Sequence, residues 1–275
     1  MKKSILFLTD LTNKNVEDPI TIEHLKQFFD VTVSYFEDIE QIENNFDLII
    51  SRNVWPSVDS KYKLYNKLKR EFLQRAIDKK LKIYNDVHAC ADRFGKDYLI
   101  DLYNKKFPVI PCIDSLDDLD KLPQSEEYLI KPKDGFSAYG IKTVKFSDLQ
   151  KLKSLKNQFI QPKLKFENEL SFYFVDDKLI YALMFVPAKV PDYPFPIVYK
   201  ATKEDIEFTK KFLKWNKMKT GVCRIDALRL YDGKLTLIEV EDDAPHFSIG
   251  LIPEKLRNKF LSEFTKSVKK HIDKL

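Results

Sequence analysis

The sequence predicts an α/β protein that turns α+β in its second half. Three observations predict it. Short apolar runs alternate with helical spacings over about the first 90 residues, the pattern of a parallel sheet with crossover helices. Strands then outnumber helices. Asp232-Gly233 sits between two alternating apolar segments, a hairpin signature. The chain has 275 residues. At roughly 150 residues per domain, that suits one large or two modest domains, with a boundary near Asn85 to Ala91.

In chain order, Ser4 to Thr9 reads as a first strand and Ile22 to Phe29 as a helix. Val31 to Tyr35 alternates like a strand, and Asp47 to Ser51 reads as a buried one. A helix from Ser60 to Lys79 aligns Tyr62, Tyr65, Leu68, Phe72 and Ala76 on one face. Leu81 to Tyr84 is a further strand, followed by a helix over Asp92 to Tyr103. Strands follow at 128–131, 141–146, 158–161, 169–175, 178–185, 222–230 and 235–241, with helices at 204–215 and 253–272. Prolines 187, 191, 194 and 196 mark a loop, since proline cannot donate to a central ladder.

Composition narrows the function. Hydrophobic residues make up 44% and charged residues 32%, an ordinary globular mix. No apolar run approaches the roughly 18 residues of a membrane span. The stretch after Lys2-Lys3 is too short for a signal peptide, so a cytoplasmic protein with no membrane partner is expected. Lysines and arginines number 47 against 42 acidic residues, and the net charge of +5 is dispersed. That argues against nucleic acid, which needs concentrated basic charge with interleaved aromatics. Cys90, Cys112 and Cys223 lie far apart, and the four histidines have no metal spacing.

The 224–241 segment is the most informative. A two-residue loop at Asp232-Gly233 sets Tyr231 opposite Lys234, hence Asp226 opposite Glu239 and Arg224 opposite Glu241. All four side chains then emerge on one face. Leu228, Leu230, Leu235 and Leu237 continue that face, while Ile225, Ala227, Ile238 and Val240 form the other. Facing carboxylates repel, and a divalent cation between them removes the conflict. Hard oxygen ligands suit magnesium. The bland alternative is an exposed edge in which Arg224 merely neutralises Glu241.

A second segment, Tyr128 to Thr143, reads strand, loop, strand. It carries Lys131 at the strand end and two of the six glycines, Gly135 and Gly140. Such a turn can close backbone N–H groups over an anion while the lysine adds a point charge. A plain β-turn explains the same residues. It is not a Walker A loop, because Ile141 stands where the lysine belongs.

These two features, in this order, resemble the ATP-grasp superfamily over about Asn85 to Ser248. Within it, the chain is most similar to the group of glutathione-synthetase-like ligases and ribosomal-protein glutamyl ligases. The resemblance implies an N-terminal pre-ATP-grasp domain at residues 1–90. A two-lobed ATP-grasp domain follows at 91–275, with lobes at about 91–160 and 161–275. Lys96 and Lys131 look like the two nucleotide lysines, and Gly135, Ser137 and Gly140 like the phosphate loop. Gln161, Lys163 and Leu164 look like the adenine hinge, and Glu169 like the acidic residue near the ribose. Asp226, Glu239 and Glu241 would hold magnesium, two ions with Mn2+ able to substitute, and Arg224 would be catalytic. The chain departs from the family at Glu241, where asparagine is common. Asp242-Asp243-Ala244-Pro245-His246 stands in place of the usual ending, and Ser171 where arginine is common.

The implied reaction joins a small-molecule or peptide carboxylate to an amine, through an acyl phosphate made from ATP. Arg52, at the end of a parallel strand, is a candidate substrate contact, with a structural role as the alternative. Lys189, in the proline loop, is a second candidate, with a solvated lysine as the alternative. Related ligases often dimerise, so a homodimer fits the resemblance. Competing readings are an intramolecular cyclo-ligase, a nucleotide-binding regulator without turnover, and an RNA-binding protein.

Overall fold

The computed structural model describes residues 2–9, 16–35, 46–52, 71–85, 87–135, 140–187 and 196–273. Its N-terminal part holds β1 (Ser4–Leu8), α1 (Glu17–Lys26), β2 (Asp30–Ser34), β3 (Leu48–Ser51), α2 (71–78) and β4 (Ile83–Tyr84). The four strands form an all-parallel sheet in the order β2-β1-β3-β4. Its central strand is apolar on both faces because both are covered. Ile5 and Phe7 of β1 join one core cluster, and Leu6 and Leu8 join another. Helix α1 begins five residues earlier than periodicity suggests. Glu17 and Asp18 lie in its first turn, where carboxylates complement the helix dipole. The first part of the helix expected over 60–79 lies outside the described residues.

The helix expected over 92–103 is divided. A 3₁₀ turn at Asp92–Phe94 precedes α3 (Asp97–Asn104), and Gly95 between them takes φ 93°. That conformation suits glycine, and it brings the Lys96 amide within 2.7 Å of the Lys133 carbonyl. Strands β5 (Tyr128–Pro132), β6 (Lys142–Val144) and β7 (Gln158–Pro162) form an antiparallel sheet in the order β6-β5-β7. Helix α4 (Phe146–Leu149) follows β6.

The third sheet has five antiparallel strands in the order β10-β9-β8-β11-β12. These are β8 (Asn168–Val175), β9 (Lys178–Phe185), β10 (Ile197–Tyr199), β11 (Val222–Arg229) and β12 (Leu235–Glu241). The short edge strand β10 was not legible, because three residues after Pro196 carry no period. Helix α5 (Lys203–Asn216) opens with a capping box between Thr202 and Asp205 and buries Phe208 and Phe212 against one face of this sheet. Helix α6 (Glu254–Asp273) packs Phe260 and Phe264 against Tyr181, Phe247 and Tyr84. One hydrophobic cluster therefore runs from the parallel sheet across α6 to β8 and β9, spanning the expected boundary near residue 90.

Asn85 ties these parts together. Its amide nitrogen donates to the carbonyls of Val222, Asp242 and Asp243, and its oxygen accepts from the Val222 amide. Gly221 makes room for it. A Cβ there would lie 2.6 Å from Asn85 Oδ1, and the residue has φ 143°. Gly221→Ala should therefore lower stability by about 2–4 kcal/mol through overpacking and backbone strain. Urea denaturation measures this, and a loss under about 0.5 kcal/mol would contradict the tie.

Candidate active site

The hairpin that carries the carboxylates reaches its register by an unexpected route. The turn has three residues, since Leu230 bonds Lys234 through its amide and Gly233 takes φ 82°. Ala227 therefore pairs with Leu237, one residue off the two-residue register. A bulge between Asp226 and Ala227 then leaves Ile238 as the extra residue and restores the shift. Asp226 faces Glu239 and Arg224 faces Glu241, as predicted. The face assignments nearer the turn need correction. Leu237 lies in the core beside Ala227, and Ile238 turns to the site.

Arg224 holds this cluster. Its Nε donates to both Asp226 oxygens at 3.0 Å, and its Nη2 to Asp226 at 2.8 Å and Glu241 at 2.6 Å. Glu239 lies 3.9 Å from the same nitrogen. One oxygen from each of Asp226, Glu239 and Glu241 falls within 4.8 Å of the others. Burial pushes the Asp226 and Glu241 carboxyls up, against the pull of Arg224, and Glu239 adds repulsion to both. Burial would also raise Glu239, but Lys96 and Arg224 outweigh it and hold that carboxyl low.

Lys96 reaches the cluster from the start of α3. It pairs with Glu239 and, at 2.7 Å, with Asp92. Burial lowers its affinity for a proton, and these two carboxylates more than reverse that. Asp92 is pushed up to about 6, first by burial and then by Glu239, against Lys96. Tyr98 completes the frame, donating to Asp92 and accepting from the Val240 amide, both at 2.8 Å. Asp92 and Tyr98 were not singled out in the sequence, although the four-residue step from Asp92 to Lys96 was a visible signal. The Asp242 side chain, fully buried, accepts from the Ala91 and Arg93 amides and so fixes the turn that bears Asp92.

The opposite wall comes from the three-stranded sheet. Lys131 projects from the end of β5, and burial lowers its pKa while Glu239 pulls the other way. It makes no ion pair among the described residues. Gly135 packs so closely that a Cβ would lie 2.7 Å from the Pro132 ring, and Gly140 takes φ 75° beside the same ring. Glu169 of β8 is pushed up to about 7, first by burial and then by Asp226 and Glu239.

These walls enclose a cavity of about 350 Å3. Lys96, Lys131, Gly135, Glu169, Arg224, Glu239 and Glu241 line it, together with Leu99, Phe159 and Ile238. His246 also lines it and was read in the sequence only as a departure. Five carboxyl groups (Asp92, Glu169, Asp226, Glu239, Glu241) thus meet three cationic side chains. That donor set fits a hard divalent cation. The unpaired Lys131 fits an anion. Gln161 lies in β7, with Lys163 and Leu164 just past its end, and none of the three lines this cavity; Gln161 is buried. Ser137 and Lys189 lie outside the described residues.

Arg52 is elsewhere, which corrects its candidacy as a substrate contact. It is buried, pairs with Glu17 at 2.7 Å and Asp18 at 3.1 Å, donates to the Pro245 carbonyl and lies over the Phe247 ring. The end-of-strand position is real, but α1 and the 245–248 loop consume it. Arg52→Met should cost about 3–5 kcal/mol by stranding two buried carboxylates. Glu17 supplies a pH signature. Burial opposes its ionisation, but His246, Arg52 and the Phe247 amide bring its pKa from 4.5 to about 2. Because the folded value lies below the unfolded one, its stabilisation is full above 4.5 and is lost as pH falls toward 2. Urea midpoints should drop over that window, and Glu17→Gln should flatten the drop. An unchanged slope would contradict the assignment.

No family model matches the chain, and no curated protein does. Solved structures resemble it along its length. A D-cycloserine synthetase, DcsG, is 18% identical with a TM-score of 0.74, over 98% of this chain and 99% of that one. The D-alanine--D-alanine ligase from Bacillus anthracis, complexed with ATP, is 14% identical with a TM-score of 0.69, over 99% of each chain. The ATP-grasp ligase PsnB, complexed with a phosphomimetic variant of its minimal precursor, Mg and ADP, is 13% identical with a TM-score of 0.66, over 96% and 100%. Among the described residues, no helix is long and apolar enough to cross a membrane. Two antiparallel sheets face each other across the carboxylate and lysine cavity, behind an N-terminal parallel sheet, and this chain has the ATP-grasp fold.

Proposed function

We propose that the protein is an ATP-dependent carboxylate–amine ligase. It forms an amide through an acyl phosphate and releases ADP and phosphate. The observation that carries this reading is the convergence of Lys96, Lys131, Arg224 and the Asp226–Glu239–Glu241 cluster on one cavity between two sheets. Lys131 and Lys96 neutralise the nucleotide phosphates. Asp226, Glu239 and Glu241 hold magnesium, which when bound offsets charge on the phosphates. Arg224 stabilises the transferring phosphoryl group. Catalysis is chiefly positioning and charge neutralisation. Gly135 and Gly140 belong to the phosphate-binding segment, and Gln161, Lys163 and Leu164 form the adenine hinge. The two sheets belong to the two lobes of a domain over 91–275, and residues 1–90 form the domain that precedes it.

Phosphate release from ATP and magnesium tests this, across amino acids and dipeptides with mass spectrometry of the products. A condensed product with a particular acid and amine supports the reading. ATP binding without turnover by any pair would contradict it and favour a non-catalytic nucleotide binder. The likeness to a D-cycloserine synthetase keeps intramolecular closure as a second reading. Loss of water from a single compound would identify that case.

A further inference from the structure

His246 has a setting that the nucleotide site does not use. The ring lines the cavity shared by Arg224 and Glu241, and its side chain is 59% exposed. Its Nδ1 lies 3.2 Å from Glu17 Oε1. Glu17 belongs to α1, is itself buried, and receives the Phe247 and Ser248 amides at 2.8 and 2.7 Å and Arg52 at 2.7 Å. A carboxylate held by so many donors is ionised and can only accept. The histidine nitrogen facing it must therefore carry the hydrogen. In the neutral ring this arrangement puts the hydrogen on Nδ1 and leaves Nε2 as the nitrogen that can accept. Nε2 has no hydrogen bond among the described residues.

The ligase reaction needs such a group, and this inference rests on the ligase reading above. An alkyl amine is an ammonium ion at neutral pH, with a pKa of roughly 10, and it cannot attack until it loses a proton. We propose that His246 Nε2 accepts that proton from the acceptor amine, with Glu17 as the positioning residue. The amine nitrogen forms its bond to the acyl carbon. The bond from that carbon to the phosphate oxygen breaks, and inorganic phosphate leaves with its electron pair. The ammonium nitrogen loses two protons in becoming the amide: the first passes to Nε2 and then to solvent along the exposed side of the ring, and the second goes to the departing phosphate. The acceptor is thereby specified as an amine that is protonated at neutral pH.

Hydroxylamine separates this role from the rest of the chemistry. It is a free base at neutral pH and traps an acyl phosphate as a hydroxamate without a proton acceptor. Wild type and His246→Gln are compared with ATP, magnesium and the acids of the amino-acid and dipeptide panel, using either an alkyl amine or hydroxylamine. Glutamine at this exposed position retains a donor for Glu17, so the fold is kept. The variant should lose amide formation about 100-fold to 10,000-fold and keep hydroxamate formation within about 3-fold. Equal loss with both nucleophiles, or no loss of amide, overturns the role. If wild type yields no hydroxamate with any acid, the ligase reading falls and the role falls with it. Nitrogen-15 NMR of the His246 ring needs no substrate. It should show the Nδ1–H tautomer, and a proton on Nε2 in the neutral ring overturns the proposal by itself.

Discussion

Asp226→Asn and Glu239→Gln should each cut ATP turnover by about 1,000-fold or more while the protein stays folded. The loss follows from removing one oxygen donor from a cluster built for a divalent cation, where charge stabilisation of several kcal/mol is at stake. Retention of the fold follows from the pairs that remain. Without Glu239, Lys96 keeps Asp92, and Arg224 keeps Asp226 and Glu241. Without the Asp226 charge, Arg224 keeps Glu241, and repulsion on Glu239 is relieved. The experiment pairs phosphate release at saturating ATP and magnesium with thermal unfolding. Magnesium titration by calorimetry should show the same loss. Undiminished turnover in both variants would refute the metal assignment.

Lys131→Met should weaken ATP binding about 10-fold to 100-fold without lowering the melting temperature. The lysine has no ion pair among the described residues, and burial already disfavours its charge. Its ammonium therefore costs the free protein something and serves the bound anion. Methionine keeps the length and apolar stem. An ordinary structural lysine would show the reverse pattern, with stability lost and affinity intact. Calorimetry with a non-hydrolysable ATP analogue reads the affinity, and an unchanged value would remove Lys131 from the nucleotide site.

How legible the site was depended on how local its logic is. The alternation of apolar strands and helical spacings announced the parallel sheet, because buried parallel strands must be apolar on both faces. The Asp-Gly turn announced the hairpin. Its register at the carboxylates matched expectation only because a three-residue turn and a one-residue bulge cancel. No periodic rule reveals a bulge, since it breaks the period. Arg52 shows the complementary failure. The end of a parallel strand is where ligands bind in open sheets, yet Glu17, Asp18 and Pro245 reach it from 34 to 193 residues away.

The sequence by itself determined most of the element order, the buried parallel strands, and the hairpin that carries Arg224, Asp226, Glu239 and Glu241. These depend on side-chain alternation and on neighbours a few residues apart along one hairpin. Only the tertiary structure decided that Lys96 pairs with Glu239, 143 positions away, that Lys131 faces the same cavity with no ion pair among the described residues, and that Glu17 lies beside His246. Those pairings belong to different sheets and helices. Their separations are set by how apolar faces pack, and local propensity carries no record of that distance.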